Sequence, residues 1–288
     1  MNWYEFRRIL LAVDASTQSA NAVELIANFV PLGTAVKIVH IWPLQVAGQD
    51  GFSVPETRTM AESLVEGHAD RLRKAGLEAI AEVRTAPVGR TYQEIVDAAE
   101  DFASDLIAMG SRGRSDLGGL FLGSVSHQVV AHTTRPLLIV RGAPQPAKPQ
   151  RRVLLAIAGG EEIATAVPTA IAVSRRWAAE VLVLHVSRVL ALEGVAWTEP
   201  APEAQAAVDA AVRELRAAGV SAHGDVVTGG GSVASEIAEI AEGWDADLIV
   251  MGSRRLGELH GLLTGASDHQ LVHRIQTPVL IAGRSQGE

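Results

Sequence analysis

The segment MGSRGRSDLGGLFLGSVSHQVVAHTTRP spans Met109–Pro136, and a related segment, MGSRRLGELHGLLTGAS, begins at Met251. Each follows a short run of aliphatic residues that is typical of a strand buried on both faces. In the first segment, glycines let the backbone turn sharply before a helix that stops ahead of Pro136. A buried strand, a glycine-rich loop and a helix in this order predict an α/β fold in which the loop lies at the carboxyl end of a strand.

The rest of the chain repeats in the same register. RRILLAVDAS at Arg7 returns as RRVLLAIAGG at Arg151, and RPLLIVRG at Arg135 returns as TPVLIAGR at Thr277. A nearly constant offset indicates duplication of a whole domain, because chance similarity would not keep register. The stretch APQPAKPQ between the copies contains three prolines and predicts a semi-extended linker. We therefore predict a first domain at residues 1–142, a linker at 143–150 and a second domain at 151–288.

Short apolar runs alternate with amphipathic segments in both copies, which predicts right-handed βαβ crossovers and a parallel sheet with helices on both faces. The predicted strands are Ile9–Val13, Ala35–Ile41, Glu78–Arg84, Leu106–Met109 and Leu137–Val140, then Val153–Ala158, Val181–Val186, Ser221–Val227, Leu248–Met251 and Val279–Ala282. The predicted helices of the first copy include Ser19–Phe29, Glu56–Lys74 and Tyr92–Ala103.

The composition narrows the classes of function. The formal net charge of −8 gives no support to nucleic-acid binding. The absence of cysteine excludes disulfides and thiol catalysis and fits a reducing compartment. No apolar run reaches the roughly 18 residues of a membrane span, and the first apolar run meets Asp14 too early for a signal peptide. We expect a cytoplasmic protein.

The loop after Met109 carries groups that suit phosphate. Gly110 and Gly113 allow close approach of the backbone, and Gly123 and Ser124 stand where the next helix begins and its free N–H groups attract anions. Arg112 and Arg114 add positive charge suited to phosphate oxygens, and the Ser124 and Ser126 hydroxyls add donors. Scattered glycines alone are equally consistent with an ordinary loop; the spacing is more specific.

That spacing resembles the ATP-binding pattern of the universal stress protein family: Gly, two residues, Gly, nine residues, then Gly with Ser or Thr. The resemblance extends to Asp14 and Ser16 after the opening strand, His40–Ile41, and the closing run from Pro136. It implies two tandem Rossmann-like domains, each a five-stranded parallel sheet in the order 3-2-1-4-5, and a bound ATP, which usually brings Mg²⁺. The implied nucleotide site comprises Ala12, Val13, Asp14, Ile41, Met109, Gly110, Arg112, Gly113, Gly123, Ser124, Val125 and Ser126.

Within that implied site, adenine lies near Ala12, Val13 and the main chain of Ile41, and Asp14 takes the ribose hydroxyls. A carboxylate at the end of the first strand can accept from ribose hydroxyls, but Asp and Ser are also common helix caps. The sequence departs from the family in having Ala15 where Gly often follows the Asp.

The second copy has lost several of these groups. Arg255 stands at the position of Gly113, Ala266 at that of Ser124 and Ala158 at that of Asp14. We therefore expect the second domain to be a degenerate copy without nucleotide, although Arg255 reaching in or a smaller anion would rescue it. The apolar final strands of the two domains predict an intramolecular pseudo-dimer; dimerisation of the whole chain is left open.

Two classes of function remain. The first is a regulatory ATP-binding protein of the stress response, and the second is a slow ATPase or a nucleotidyl or phosphoryl transferase. No Walker lysine, nucleophile elbow or SGGxDS loop is present, so the sequence singles out no catalytic residue and favours the first class. His269 and His273 are four apart on a predicted helix, but a third metal ligand is not evident, so we expect no metal site there.

Overall fold

The computed structural model describes residues 6–44, 56–87, 89–111, 124–143, 148, 150–158, 161–192, 195–198, 201–229, 232–252 and 276–283. The chain divides into two compact units, Phe6–Pro144 and Gln145–Glu288. Each is an α/β unit built around a parallel sheet. Within the described residues, no helix is long and apolar enough to cross a membrane.

The sheet of the first unit has the predicted strand order, β3-β2-β1-β4-β5, and every pair is parallel. Its strands are β1 (Arg8–Ala12), β2 (Ala35–Pro43), β3 (Glu78–Ala86), β4 (Leu106–Gly110) and β5 (Leu137–Val140). Its helices are α1 (Thr17–Phe29), α2 (Arg58–Lys74), α3 (Thr91–Asp101) and α4 (Ser124–His132). The chain winds from β1 to β3 in one direction and then crosses to β4, so the topological switch point lies between β1 and β4.

Helices cover both faces of this sheet, because the strands are apolar on both sides. α1 packs on β4 and β5, and α2 packs on β2 and β3 and touches α1. α3 packs on β1, β2 and β3 and contacts α4. Ile9, Leu10 and Leu11 of β1 have no exposed surface, as expected for a central strand with helices on both sides.

The second unit repeats the order as β9-β7-β6-β10-β11, again with parallel pairs. Its strands are β6 (Arg152–Ile157), β7 (Glu180–Leu192), β8 (Val195–Thr198), β9 (Ala222–Gly229), β10 (Leu248–Met251) and β11 (Val279–Ile281). Its helices are α5 (Glu161–Trp177), α6 (Ala201–Ala217) and α7 (Val233–Gly243). The sequence did not predict β8, which pairs antiparallel with Val189–Leu192; β7 therefore runs on to Leu192 instead of ending at Val186.

An aspartate before the fourth strand of the 3-2-1-4-5 order secures the amino end of the central strand in both units. The Asp105 carboxylate accepts from the backbone N–H groups of Arg7 and Arg8, with a shortest distance of 2.7 Å. Asp247 accepts from the N–H of Arg152 at 2.9 Å and from the Arg151 guanidinium at 3.1 Å. Burial raises the pKa of Asp105 and outweighs the N–H bonds that lower it. We call these two residues the aspartate clamps.

Candidate functional site

The carboxyl ends of β1, β2 and β4 meet at one edge of the first sheet and bring predicted adenine contacts together. Ala12 lies opposite Val39 on one side and Met109 on the other, and the N–H of Val13 bonds to the Val39 carbonyl at 2.9 Å. Ile41 follows Val39 by two residues, so β2 reaches beyond the end of β1. Ala12, Val13, Ile41 and Met109 are all nearly buried and form an apolar edge beside the switch point.

Asp14 lies at the switch point and is held by a polar cluster at the start of α1. Its Oδ1 accepts from the N–H of Ser16 at 3.0 Å and from the hydroxyl of Ser19 at 2.8 Å. Its own N–H donates to Ser19 Oγ at 2.9 Å. Ser16 caps α1 by accepting from the N–H of Ser19 at 3.2 Å. Ser16 therefore provides the helix cap, while Asp14 is oriented by α1 without being its cap.

Gly110 is required by packing of the protein itself. A Cβ atom built at this position would lie 2.9 Å from Gln18 Cβ and 3.0 Å from the Ser19 nitrogen. The first turn of α1 therefore rests directly on the end of β4. The prediction that Gly110 allows a ligand to approach stays a prediction, and the structure adds that only glycine admits α1 at this distance.

A hydrogen bond joins the two ends of the predicted phosphate loop. The hydroxyl of Ser126, which is buried in α4, donates to the Ser111 carbonyl oxygen at 3.1 Å, and the Ser111 N–H bonds to the Val140 carbonyl at 2.8 Å. Residue 111 and the start of α4 are therefore neighbours, as a phosphate loop requires. This bond uses the hydroxyl hydrogen of Ser126, the hydroxyl that the sequence predicts as a donor to phosphate.

The remaining predicted contacts divide between described and undescribed residues. Ser124 is exposed and Val125 is half-buried at the N-terminus of α4, where backbone N–H groups and the helix dipole favour an anion. Arg112, Gly113, Arg114 and Gly123 lie outside the described residues, as do His269 and His273. In the part of the chain that is described, no group of three or more His, Asp and Glu side chains is arranged to hold a metal ion.

His40 is a buried residue of β2 that contacts the end of β1 and the segment before α2. It is 5% exposed, and its Nδ1 lies 2.8 Å from the Val13 carbonyl oxygen, so Nδ1 carries a proton because a carbonyl only accepts. Its Nε2 lies 3.3 Å from Glu56 Oε2, and Trp42 donates to the Glu56 carbonyl at 2.9 Å. These contacts join β2 to the end of β1 and to the segment before α2.

The model of the universal stress protein family matches residues 5–141 and again residues 150–283, which together cover most of the chain. The chain belongs to this family. A universal stress protein of Mycolicibacterium smegmatis is 27% identical over 291 residues, covering 95% of this chain and 96% of the relative. A universal stress protein of Mycobacterium tuberculosis is 25% identical over 304 residues, covering 95% of this chain and 94% of the relative.

The fold agrees with this assignment. The crystal structure of a universal stress protein from Archaeoglobus fulgidus matches over 99% of both chains with a TM-score of 0.72 at 21% identity. The tandem, two-copy architecture predicted from the sequence is therefore confirmed, and both copies are universal stress protein domains.

The second universal stress protein domain presents a different surface at the same edge. Ala158, which is exposed, stands where Asp14 stands, and Ile163 stands where Ser19 stands. His185 is 2% exposed and matches His40 in strand register, since Ile157 pairs with His185. The buried histidine is thus common to both domains, whereas the carboxylate and its hydroxyl partner occur in the first.

Ser19 is the residue that sequence reasoning missed. It lies inside the first turn of α1 and is buried, whereas polar side chains near a helix start are usually exposed to solvent. The available signal was the pattern Asp-x-Ser-x-x-Ser from Asp14 to Ser19, in which the last serine faces back toward the aspartate. His40 is part of the family resemblance seen in the sequence, and the structure shows that it contacts the Val13 carbonyl oxygen at the end of β1.

Proposed function

We propose that the first domain binds ATP and that the protein is a regulatory component of the stress response, with the nucleotide acting as a ligand that shifts conformation or assembly. The observation that carries the proposal is the Asp14 carboxylate, fixed at the switch point beside an apolar edge and close in the chain to the capped start of α1. Ligands of open α/β sheets bind in this crevice, where a carboxylate can accept from ribose hydroxyls.

The three parts of a nucleoside triphosphate each have a suitable surface. The apolar edge of Ala12, Val13 and Ile41 suits adenine, and Asp14 suits ribose. The loop between Ser111 and Ser126 suits the phosphates, since its ends meet at the N-terminus of α4 and its sequence contributes Arg112. Mg²⁺ would enter with the phosphates, because ATP usually carries it.

An enzymatic role is the alternative, as a slow ATPase or a nucleotidyl or phosphoryl transferase. Binding is favoured because the chain has none of the nucleophile or lysine motifs that such chemistry uses on related folds.

The second domain, in this proposal, serves as the structural partner of the first in a pseudo-dimer. Support comes from the sequence: its apolar strands and aspartate clamp are retained, while Asp14, Gly113 and Ser124 are replaced by Ala158, Arg255 and Ala266. We expect the two domains, when produced as separate chains, to associate; two stable monomers without mutual affinity would contradict this part of the proposal.

Identification of the nucleotide released from the purified protein tests the main proposal. Mass spectrometry of the denatured protein should find ATP, and incubation with added ATP should accumulate no ADP beyond a blank. Stoichiometric or repeated turnover of ATP would support the enzymatic alternative. The absence of any nucleotide affinity would refute both the regulatory and the enzymatic function. Ser124→Ala should weaken ATP by about 1.5–3 kcal/mol, as expected for a hydroxyl that bonds a charged phosphate.

A further inference from the structure

Ser19 makes contacts that a helix does not require of it. Ser19 is 3% exposed. Its hydroxyl donates to Asp14 Oδ1 at 2.8 Å and accepts from the Asp14 N–H at 2.9 Å. The hydroxyl of Ser16 also approaches it at 3.3 Å. Ser19 therefore closes a ring of hydrogen bonds with both the main chain and the side chain of one residue.

This ring restricts the orientation of the carboxylate. A free aspartate side chain rotates about two torsions, but the Ser19 hydroxyl and the Ser16 N–H both bind the same oxygen, Oδ1. Fixing one oxygen from two directions also fixes the plane of the carboxylate. A receptor group held in its binding orientation loses less entropy when the ligand arrives, which strengthens and sharpens recognition.

The second domain shows that the fold does not depend on this ring. Ile163 replaces Ser19 and Ala158 replaces Asp14, yet β6 keeps the register of β1 and α5 still follows it. The hydroxyl and the carboxylate are thus lost together, as expected if the hydroxyl serves the carboxylate.

We propose that Ser19 is a positioning residue that orients Asp14 for the ribose hydroxyls and thereby sets the preference of the first domain for ribonucleotides. The inference rests on the proposed function, because it assigns Ser19 to the same nucleotide site. It predicts that Ser19 affects the sugar contact selectively, with the adenine and phosphate contacts retained.

The test compares ATP with 2′,3′-dideoxyATP, which lacks both ribose hydroxyls, by calorimetry on the full chain. The wild-type protein should prefer ATP by about tenfold or more, as expected for hydrogen bonds to a charged acceptor. Ser19→Ala should bring the ratio to within about threefold, mainly by weakening ATP. Ser19→Thr, which keeps the hydroxyl, should restore much of the preference.

Ser104→Ala is the matched control. It removes another buried hydroxyl of the first domain, which donates to the Ala99 carbonyl at 3.1 Å near the amino end of β4, so it should lower thermal stability and leave the nucleotide ratio near that of the wild type. Equal weakening of both nucleotides by Ser19→Ala, with an unchanged ratio, would show a merely structural role and overturn the inference.

Two further outcomes distinguish a failure of the inference about Ser19 from a failure of the proposed function. A wild-type protein that binds neither nucleotide would refute the proposed function itself. Should Ser19→Ala fail to fold, Ser19→Cys preserves the volume with a weak donor and should lower the same ratio; an unchanged ratio in that variant would also overturn the inference.

Discussion

The two domains share a strand order and a strand register, yet the carboxyl ends of their strands carry different groups. In the first domain a carboxylate, a capping serine and a buried serine form one hydrogen-bonded cluster around Asp14. In the second domain the corresponding residues are Ala158, Gly160 and Ile163.

The opposite, amino ends of the sheets are alike. Both domains keep an aspartate clamp, with Asp105 and Asp247 accepting from the first N–H groups of the central strand. The aspartate clamp and the buried histidine therefore occur in both domains, whereas the Asp14 cluster occurs in the first. The second domain folds without the Asp14 cluster, which supports the proposal that this cluster serves a ligand.

The largest expected effect on ATP binding comes from placing a residue of the second domain at the matching position of the first. Gly113→Arg, which introduces the residue found at Arg255, should abolish ATP binding because a long side chain occupies the space where the backbone meets the phosphates. Equilibrium binding of the wild type should saturate near one ATP per chain.

A glycine elsewhere in the same loop controls for added charge. Gly118→Arg changes the charge equally but spares the Gly-x-x-Gly spacing, so it should bind ATP. Two equivalent sites per wild-type chain, or full binding by Gly113→Arg, would erase the functional difference between the domains.

Removing the ribose partner should have the next largest effect. Asp14→Ala, which imitates Ala158, should weaken ATP and ADP alike by about 1.5–3 kcal/mol, because both carry ribose and the lost acceptor is charged. Calorimetry measures both affinities. Asp97→Ala, on an exposed position of α3, is the control, and an unchanged affinity in Asp14→Ala would remove this residue from the site.

Two glycines test whether helix packing is coupled to the site. Gly110→Ala should push the first turn of α1 away from β4 and lower both the free energy of unfolding and nucleotide affinity, because Ser19 moves with that turn. In the second domain, a Cβ at Gly224 would lie 2.2 Å from Val208 Cγ1 of α6. Gly224→Ala should therefore destabilise by about 1–3 kcal/mol without changing affinity.

Urea unfolding and calorimetry on both variants decide this point. Equal losses of affinity in Gly110→Ala and Gly224→Ala would mean that the site responds to general destabilisation. Unchanged affinity in Gly110→Ala would separate α1 packing from the site.

The smallest effect concerns acid stability. Burial raises the pKa of Glu82. Hydrogen bonds from Lys37 at 2.6 Å and from Arg84 at 2.6 Å lower it by more, so the pKa lies below its ordinary value of 4.5. A carboxyl with a lowered folded-state pKa adds stability above its unfolded pKa and loses it as the pH falls through the folded pKa. At the matching strand positions of the second domain, Leu182 stands in place of Lys37 and Val227 in place of Arg84.

Glu82→Gln should therefore be less stable than the wild type at pH 7, and the difference should shrink below about pH 4.5 as Glu82 becomes protonated. Unfolding by urea at several pH values measures this change. Glu78→Gln, at the exposed start of β3, is the control, and a difference that stays constant with pH would contradict the assignment to Glu82.

The sequence predicted the architecture well because buried parallel strands are short, apolar and repeated in register. It predicted strand order only through resemblance to a family, since the order depends on crossovers that no local pattern specifies. It did not predict β8 or the extension of β7, where pairing between Val189–Leu192 and Val195–Thr198 creates a hairpin. Such pairing depends on where the chain turns, and the surrounding residues carry no strong turn motif.

At the site, the sequence identified Asp14 as a candidate residue but left open whether it caps the following helix or contacts ribose. The structure assigns the cap to Ser16, which leaves Asp14 oriented by Ser19. It also gives Gly110 a packing role, because the proximity of Gln18 to β4 arises only when α1 folds back on the sheet. Contacts between residues distant in sequence, or across the first turn of a helix, are the ones that local patterns do not contain.

The aspartate clamps have a consequence for the order of events during synthesis. Asp105 follows Arg8 by 97 residues, and Asp247 follows Arg152 by 95, so the aspartate clamp on the central strand of each domain forms only after a much later part of the domain has been made. Until that residue leaves the ribosome, β1 can pair with β2 on one side while its other edge stays open. Long loop closures of this kind slow folding and lengthen the exposure of apolar edges. Each domain should therefore become protease-resistant late and abruptly as it emerges, and the second domain should repeat that delay after the first has closed.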